Sequence, residues 1–326
     1  MSISAGSPAA RTAMFGVLCV MGSATLFSIQ DMLVKLLSDG YALHQITFIR
    51  SVVALAIMMA VFVPLDGGYS GLRTARWRVH ALRGVLVVCA NMSFYAGLAV
   101  LPLGEATAIY FFAPLVITAL SAIALGEHVG LRRWAAVCAG FVGVLLVVQP
   151  GMASFQTASL LPLFSAVCYG SLQVLTRYLG VAERPSTIAF YMQFTFLLFS
   201  TVVGLAIGDG HLAGGGNASV EFLTRAWIWP PAGDWPILIA IGCTVSIGAY
   251  LVSIAYSRSE AGLIAPFEYV AMPIAIMFAI VIWGDWPTPL AWAGTALIAG
   301  SGIFVFVREA MLGRRLTGKT PVRPVR

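Results

Sequence analysis

The sequence predicts an all-α membrane protein of ten transmembrane helices, arranged as two inverted five-helix repeats. Three observations carry this. Of the 326 residues 60% are hydrophobic and only 10% charged, and the mean hydropathy is +0.92. A soluble domain carries about 25% charged residues, so a water-facing surface cannot be covered and the chain belongs in a bilayer. Apolar runs of spanning length recur along the chain, and the second half echoes the first in three ordered blocks.

The runs lie near 14–37, 44–64, 80–100, 103–125, 131–149, 157–179, 187–208, 235–256, 262–283 and 289–307. The first follows Arg11 and resembles a signal peptide. It is too long for one and nine more spans follow, so it reads as an uncleaved first helix. Loops are short except 209–234, which is Gly-rich and closes on "RAWIWPPAGDWP". Its tryptophans suit a membrane–water interface. The organisation expected is a tail over 1–13, five-helix repeats over 14–150 and 157–307, and a basic tail over 308–326.

Charge placement orients the spans. The net charge is +6. With the N-terminus in the cytoplasm, the inward segments hold Arg11, Arg73, Arg76, Arg78, Arg132, Arg133, Arg184, Arg258 and six basic residues from Arg308 on. The outward segments hold only Arg225. The positive-inside rule then puts both termini inside.

The repeat is visible residue by residue. "ATLFSIQDMLVK" (24–35) aligns with "AVCYGSLQVLTR" (166–177), pairing Ser28 with Gly170, Asp31 with Gln173 and Lys35 with Arg177. "FYAGLAVLPLGEA" (94–106) aligns with "AYLVSIAYSRSEA" (249–261), pairing Tyr95 with Tyr250 and Glu105 with Glu260. Gly126-Glu127 aligns with Gly284-Asp285. The offset grows from 142 to 155 to 158, as small insertions require. An odd number of spans per half inverts the second half, a plan of secondary transporters with a central site.

Buried faces in membranes carry small and polar residues. In the ninth span Ala261, Ala265, Glu268, Met272, Ala275 and Ala279 form one stripe; Leu263, Phe267, Val270, Ile274, Met277 and Val281 form a bulky one. In the fourth, Thr107, Tyr110, Pro114, Thr118 and Ser121 align. Ala24, Ser28, Asp31 and Lys35 do so in the first, and Ala166, Gly170, Gln173 and Arg177 in the sixth. In the third, Asn91 and Tyr95 flank Phe94. A midplane cavity lined by spans 1, 3, 4, 6, 8 and 9 is expected.

"LPLGEATAIYFFAPLVITALSAIALGE" (101–127), "GFVGVLLVVQP" (140–150) and "APFEY" (265–269), set in ten spans, resemble the drug/metabolite transporter superfamily and its EamA-type members. The resemblance covers nearly the whole chain. It implies two EamA-like halves, both termini inside and movement of a small metabolite. The closing acid is Asp285, where the family more often has Glu. The wording of the fourth span and "GLRRWAAVCAGFVGV" is similar to branches that include riboflavin and S-adenosylmethionine importers. A riboflavin-like planar substrate is the first expectation, S-adenosylmethionine the second and an exported amino acid or metabolite the third.

The site candidates are Glu268, Asp31, Tyr110, Asn91, Tyr95, Gln173, Thr107, Tyr269 and Arg50. A carboxylate in hydrocarbon must pair, protonate or meet water. Glu268 is thus a proton-coupling group, a ligand for a substrate amine or hydroxyl, or a structural link between helices. Asp31 and Lys35 are four apart, acid first, which suits an intrahelical ion pair; the alternative puts Asp31 at the cavity. Arg50 either pairs with Asp31 or snorkels outward. Tyr110, Phe111, Tyr95, Phe94, Tyr250 and Tyr269 are the aromatics for stacking on a planar substrate. Glu105 and Glu260 suit helix N-termini, and Glu127 and Asp285 suit span connections.

Other function classes lack their residues. Five cysteines at no repeated spacing and four histidines without ligand spacing argue against a disulfide framework or a metal site. No cofactor and no catalytic residue is expected. The GGG at 214–216 lacks the Lys-Ser/Thr of a phosphate loop, so ATP is not the expected energy source. No aromatic-interleaved basic surface supports nucleic-acid binding. Intramembrane acids are too dispersed for an enzyme, and a channel's charged ring is not evident. The partners expected are a small-molecule substrate, the bilayer and, through Glu268, protons; monomer and homodimer both fit.

Overall fold

The computed structural model describes residues 8–125, 131–149, 156–179, 183–214, 217–258 and 264–311, and no strand occurs among them. The helices are α1 (Pro8–Leu37), α2 (Leu43–Ile57), α3 (Trp77–Leu98), α4 (Leu103–Tyr110), α5 (Ala113–Leu125), α6 (Leu131–Val148), α7 (Leu160–Leu179), α8 (Pro185–Ile207), α9 (Ala218–Thr224), α10 (Trp235–Arg258), α11 (Ala271–Phe278) and α12 (Pro289–Met311). Among the described residues seven helical stretches are long and apolar enough to cross a membrane, and Trp134–Val148 and Phe267–Trp283 are shorter apolar ones. The chain is a multi-pass membrane protein.

Three predicted spans are not uniform α-helices; the second turns π over Met58–Phe62 and resumes α over Val63–Leu65. The fourth is α4 and α5, broken by a turn at Phe111–Phe112. Pro114 explains the break: it offers no N–H to the Tyr110 carbonyl four residues back, and its ring crowds that turn. The ninth starts as a 3-10 helix, Ala265–Val270, becomes α11, and ends in a π turn, Ala279–Trp283. Here Pro273 removes the donor for the Tyr269 carbonyl. The long 209–234 connection holds the unpredicted α9, whose start is capped by Asn217 Oδ1 accepting from the Ser219 amide at 2.9 Å. Asn at that position is a preferred N-cap.

The bundle is tied together by reciprocal pairings. α1 packs on α10, α3 on α7, α2 on α8 and α6 on α12. Without a hydrophobic drive between helices, small residues let backbones approach. A Cβ on Gly143 of α6 would stand 2.8 Å from the Gly294 carbonyl oxygen of α12, and one on Gly294 would stand 2.6 Å from that of Gly143. Gly84 of α3 faces Thr195 of α8, and Gly242 of α10 faces Val53 of α2; an added Cβ would meet them at 2.6 and 2.5 Å.

Cations close helix ends. Lys35 Nζ donates to the carbonyls of Leu98 and Leu101 at the end of α3, at 3.3 and 2.7 Å. Arg177 Nη1 donates to the Ser257 carbonyl at the end of α10, at 3.3 Å. Both sit where the helix dipole favours positive charge. At one end of the bundle, Asp66 accepts from the Ser186 amide at 2.9 Å and from Tyr250 Oη at 3.0 Å. At the other, Arg225 Nη1 donates to the Ser38 carbonyl at 2.9 Å, and Tyr41 donates its phenol to Asp234. Burial, with the Asp234 carboxylate beside it, pushes the Tyr41 phenol up to about 12.

Candidate functional site

A buried cavity of about 130 Å³ lies between the helices. Its wall includes Ser28 and Asp31 of α1, Asn91 and Tyr95 of α3, Thr107 and Tyr110 of α4, Tyr169 and Gln173 of α7, Ser253 of α10, and Glu268. Arg50 of α2 and Gln193 of α8 also line it, so the second and seventh spans contribute, beyond the six expected.

Glu268 is 5% exposed. Its Oε1 accepts from Tyr256 Oη of α10 at 2.6 Å and Tyr169 Oη of α7 at 3.1 Å. It stands in the 3-10 segment Ala265–Val270. The expected division of this span holds among the described residues: Met272, Ala275 and Ala279 are buried, whereas Met277 is 51% and Val281 75% exposed. Ala261 and Leu263 lie outside the described residues.

A second polar group forms around Asp31. Tyr95 Oη donates to Asp31 Oδ1 at 2.7 Å, and Gln30 Nε2 donates to Tyr95 Oη. Arg50, 1% exposed, donates through Nη2 to Asn91 Oδ1 at 2.6 Å and lies 4.9 Å over the Phe196 ring. Arg83 is also buried, donating through Nε to Thr176 Oγ1 at 3.2 Å. An ionised guanidinium at this depth persists only where polar or aromatic groups replace water.

Aromatic rings join the two groups. Phe94 stands 5.4 Å from Tyr95 and 5.1 Å from Tyr110, and Tyr110 stands 5.4 Å from Tyr169. The wall thus runs from the Asp31 partner Tyr95 to the Glu268 partner Tyr169. Carboxylates at either end of an aromatic surface can hold a planar molecule by its face and orient its polar substituents.

Three expectations are corrected, and one alternative is decided. Asp31 and Lys35 form no ion pair among the described contacts: Asp31 lines the cavity and takes Tyr95, as the second alternative had it, and Lys35 reaches backbone carbonyls at the end of α3. Arg50 neither snorkels nor bonds Asp31 directly; Asn91 intercepts it. Tyr269 is 4% exposed but faces away from the cavity, packing on Phe111 at 5.7 Å and lining an apolar groove with Met272 and Trp292. Tyr250 is drawn to Asp66 at the end of the bundle. Glu105 does stand in the first turn of α4. Glu127 and Glu260 lie outside the described residues.

Sequence reasoning missed Tyr169, Tyr256, Arg83 and Gln193. Tyr169 lies three residues from Ala166 and four from Gln173, on the polar stripe already recognised. Tyr256 lies three from Ser253 in α10. Gln193 is the lone carboxamide in the run "FYMQFTFLLF".

Residues 14–149 match the EamA-like transporter family. The chain is 29% identical to a riboflavin transporter of Rhizobium johnstonii over 76% of each protein. It is 23% identical to an S-adenosylmethionine uptake transporter of Rickettsia prowazekii over 92% of this chain and 95% of that one. A solved crystal structure shares the fold with a TM-score of 0.66 at 19% identity, covering 93% of this chain and 99% of that one. The apolar helices make the chain a multi-pass membrane protein whose first half is similar to EamA-like transporters. Together with the names of its relatives, that similarity indicates a transporter rather than an enzyme.

Proposed function

We propose that this protein is a secondary transporter of the bacterial inner membrane that carries a planar metabolite, riboflavin first, by alternating access. S-adenosylmethionine uptake ranks second, and export of an amino acid or other metabolite third. The observation that carries the reading is the aromatic wall of Phe94, Tyr110 and Tyr169 between the Asp31 and Glu268 groups.

The proposed architecture is ten spans in two inverted halves, 14–150 and 157–307, with both termini and the basic 308–326 tail in the cytoplasm. Several reciprocal contacts support the inversion. Lys35 and Arg177, aligned in the repeat, each reach the end of a helix in the other position of the pair α3 and α10. Gly84 of α3 on Thr195 of α8 and Gly242 of α10 on Val53 of α2 are contacts between corresponding spans with the halves exchanged. Tyr110 and Tyr269 each precede a proline by four residues in an interrupted helix. Interrupted helices beside a central cavity are a recurrent device for substrate and ion sites in such folds. Aligning these prolines puts Ile109 opposite Glu268, so only one half carries the carboxylate.

A cavity of about 130 Å³ compares with the ~150 Å³ cavity that takes a benzene. A three-ring cargo is larger, so loading requires the halves to part. Glu268, held by two phenols and, among the described residues, by no cation, is the proposed proton-coupling group, and Asp31, Asn91, Tyr95, Thr107, Gln173 and Arg50 are the proposed cargo contacts. The experiment is uptake of a metabolite panel into proteoliposomes, with and without a pH gradient. Accumulation of riboflavin above protein-free vesicles supports the reading; no accumulation or exchange of any member refutes it.

A further inference from the structure

Gln193 is unlike every other polar group on the cavity wall. It lies midway along α8, is 1% exposed, and lines the cavity. Both of its carboxamide atoms, Nε2 and Oε1, lack a partner among the described residues. Buried carboxamides are nearly always bonded, because unpaired polar atoms away from water are costly. Among the described cavity residues, only Thr107 Oγ1 and Arg50 Nε share this condition, with one atom each. An apolar residue at 193 would remove the cost, so the carboxamide needs a reason.

We propose that Gln193 is a specificity-determining residue that reads the edge of the cargo's ring: Nε2 donates to a ring carbonyl while Oε1 accepts from the adjacent ring N–H. The cargo class is then a planar heteroaromatic with an N–H beside a C=O, as on the pyrimidine half of a flavin. This rests on the transporter reading above and deepens it. A carboxamide carries donor and acceptor side by side, and the same side-chain group makes paired hydrogen bonds to the edges of nucleobases. Rotation of the amide by a half-turn serves either order of donor and acceptor.

The surroundings suit the assignment. Phe196, three residues on and so on the same helix face, is buried and carries the Arg50 guanidinium over its ring at 4.9 Å. The Phe94–Tyr110–Tyr169 surface offers a ring its face. Thr107 Oγ1 and Arg50 Nε are then free for further polar substituents of the ring or its side chain.

The test is fluorescence titration of the purified full-length protein with riboflavin and with 3-methylriboflavin, which differs in carrying a methyl where the edge N–H stands. Wild type is expected to bind riboflavin about tenfold or more tightly than the methylated form, as loss of the donor and of its unpaired acceptor requires. Gln193→Leu is expected to bind riboflavin about tenfold more weakly and to treat the two probes alike. Equal affinity of wild type for both, or discrimination retained by Gln193→Leu, overturns the assignment while leaving transport intact. Should the variant not fold, the wild-type comparison alone decides. Failure of wild type to bind riboflavin at all overturns both this assignment and the riboflavin reading.

Discussion

Tyr256 donates its phenolic hydrogen to Glu268 Oε1 at 2.6 Å, from a position only twelve residues earlier in the chain but on a different helix. Tyr169, 99 residues away on α7, donates to the same oxygen at 3.1 Å. One carboxyl oxygen thereby joins three helical segments in the bundle interior. Removing either donor leaves a buried acceptor short of a partner, which costs on the order of 1–3 kcal/mol. Tyr256→Phe and Tyr169→Phe are both expected to unfold at lower temperature than wild type in detergent. The shorter bond makes Tyr256→Phe the more destabilised of the two.

Glu268→Gln keeps the acceptor oxygen but cannot release a proton. If Glu268 couples transport to protons, wild-type uptake rises when the outer medium is acidified, because protonation outside and release inside drive the cycle. The variant is expected to lose this dependence while still exchanging cargo across the membrane. Uptake against external pH is the measurement; an unchanged profile removes Glu268 from coupling.

Tyr110 touches Phe94 and Tyr169 and links the two ends of the aromatic wall. An aromatic pair contributes about 0.5–1.5 kcal/mol beyond its burial. Tyr110→Ala is expected to raise the half-saturation concentration for a planar cargo by about tenfold, and Tyr110→Phe to stay within about twofold. Equal behaviour of the two variants in a concentration series of uptake contradicts a stacking role.

The two glycine contacts give a test of the reciprocal packing. Gly84→Ala drives a methyl toward Thr195, and Gly242→Ala drives one toward Val53. Overpacking of this kind costs about 1–3 kcal/mol. Thr195→Ala is expected to restore most of the thermal stability of Gly84→Ala; the methyl of Gly242→Ala meets Val53 Cβ itself, so Val53→Gly, not Val53→Ala, is expected to relieve it. The crossed combinations are expected to restore nothing.

Much of the fold is legible in the sequence because hydrocarbon imposes a single rule on every span. Apolar runs mark the seven spanning stretches among the described residues, and Glu268, Asp31, Thr107, Tyr110 and Gln173, read from stripes, line one cavity with Asn91 and Tyr95. The rule says little about where a helix breaks. Pro114 and Pro273 were both visible, yet the extent of the turn at Phe111–Phe112 and of the 3-10 segment depends on neighbouring helices. Pairing partners were equally hidden. Asp31 and Lys35 satisfy the spacing of an ion pair, but a phenol and two helix-end carbonyls from α3 and its exit compete and win. Gln193 escaped notice because a single polar residue in an apolar run forms no stripe.

The central claim is that the cavity between the two halves carries a planar cargo across the membrane. Counterflow tests it most directly: proteoliposomes loaded with unlabelled riboflavin are diluted into labelled riboflavin, with no ion gradient imposed. The account predicts a transient accumulation of label in vesicles holding wild-type protein, much reduced with Tyr110→Ala. Label entry no faster than in protein-free vesicles contradicts it.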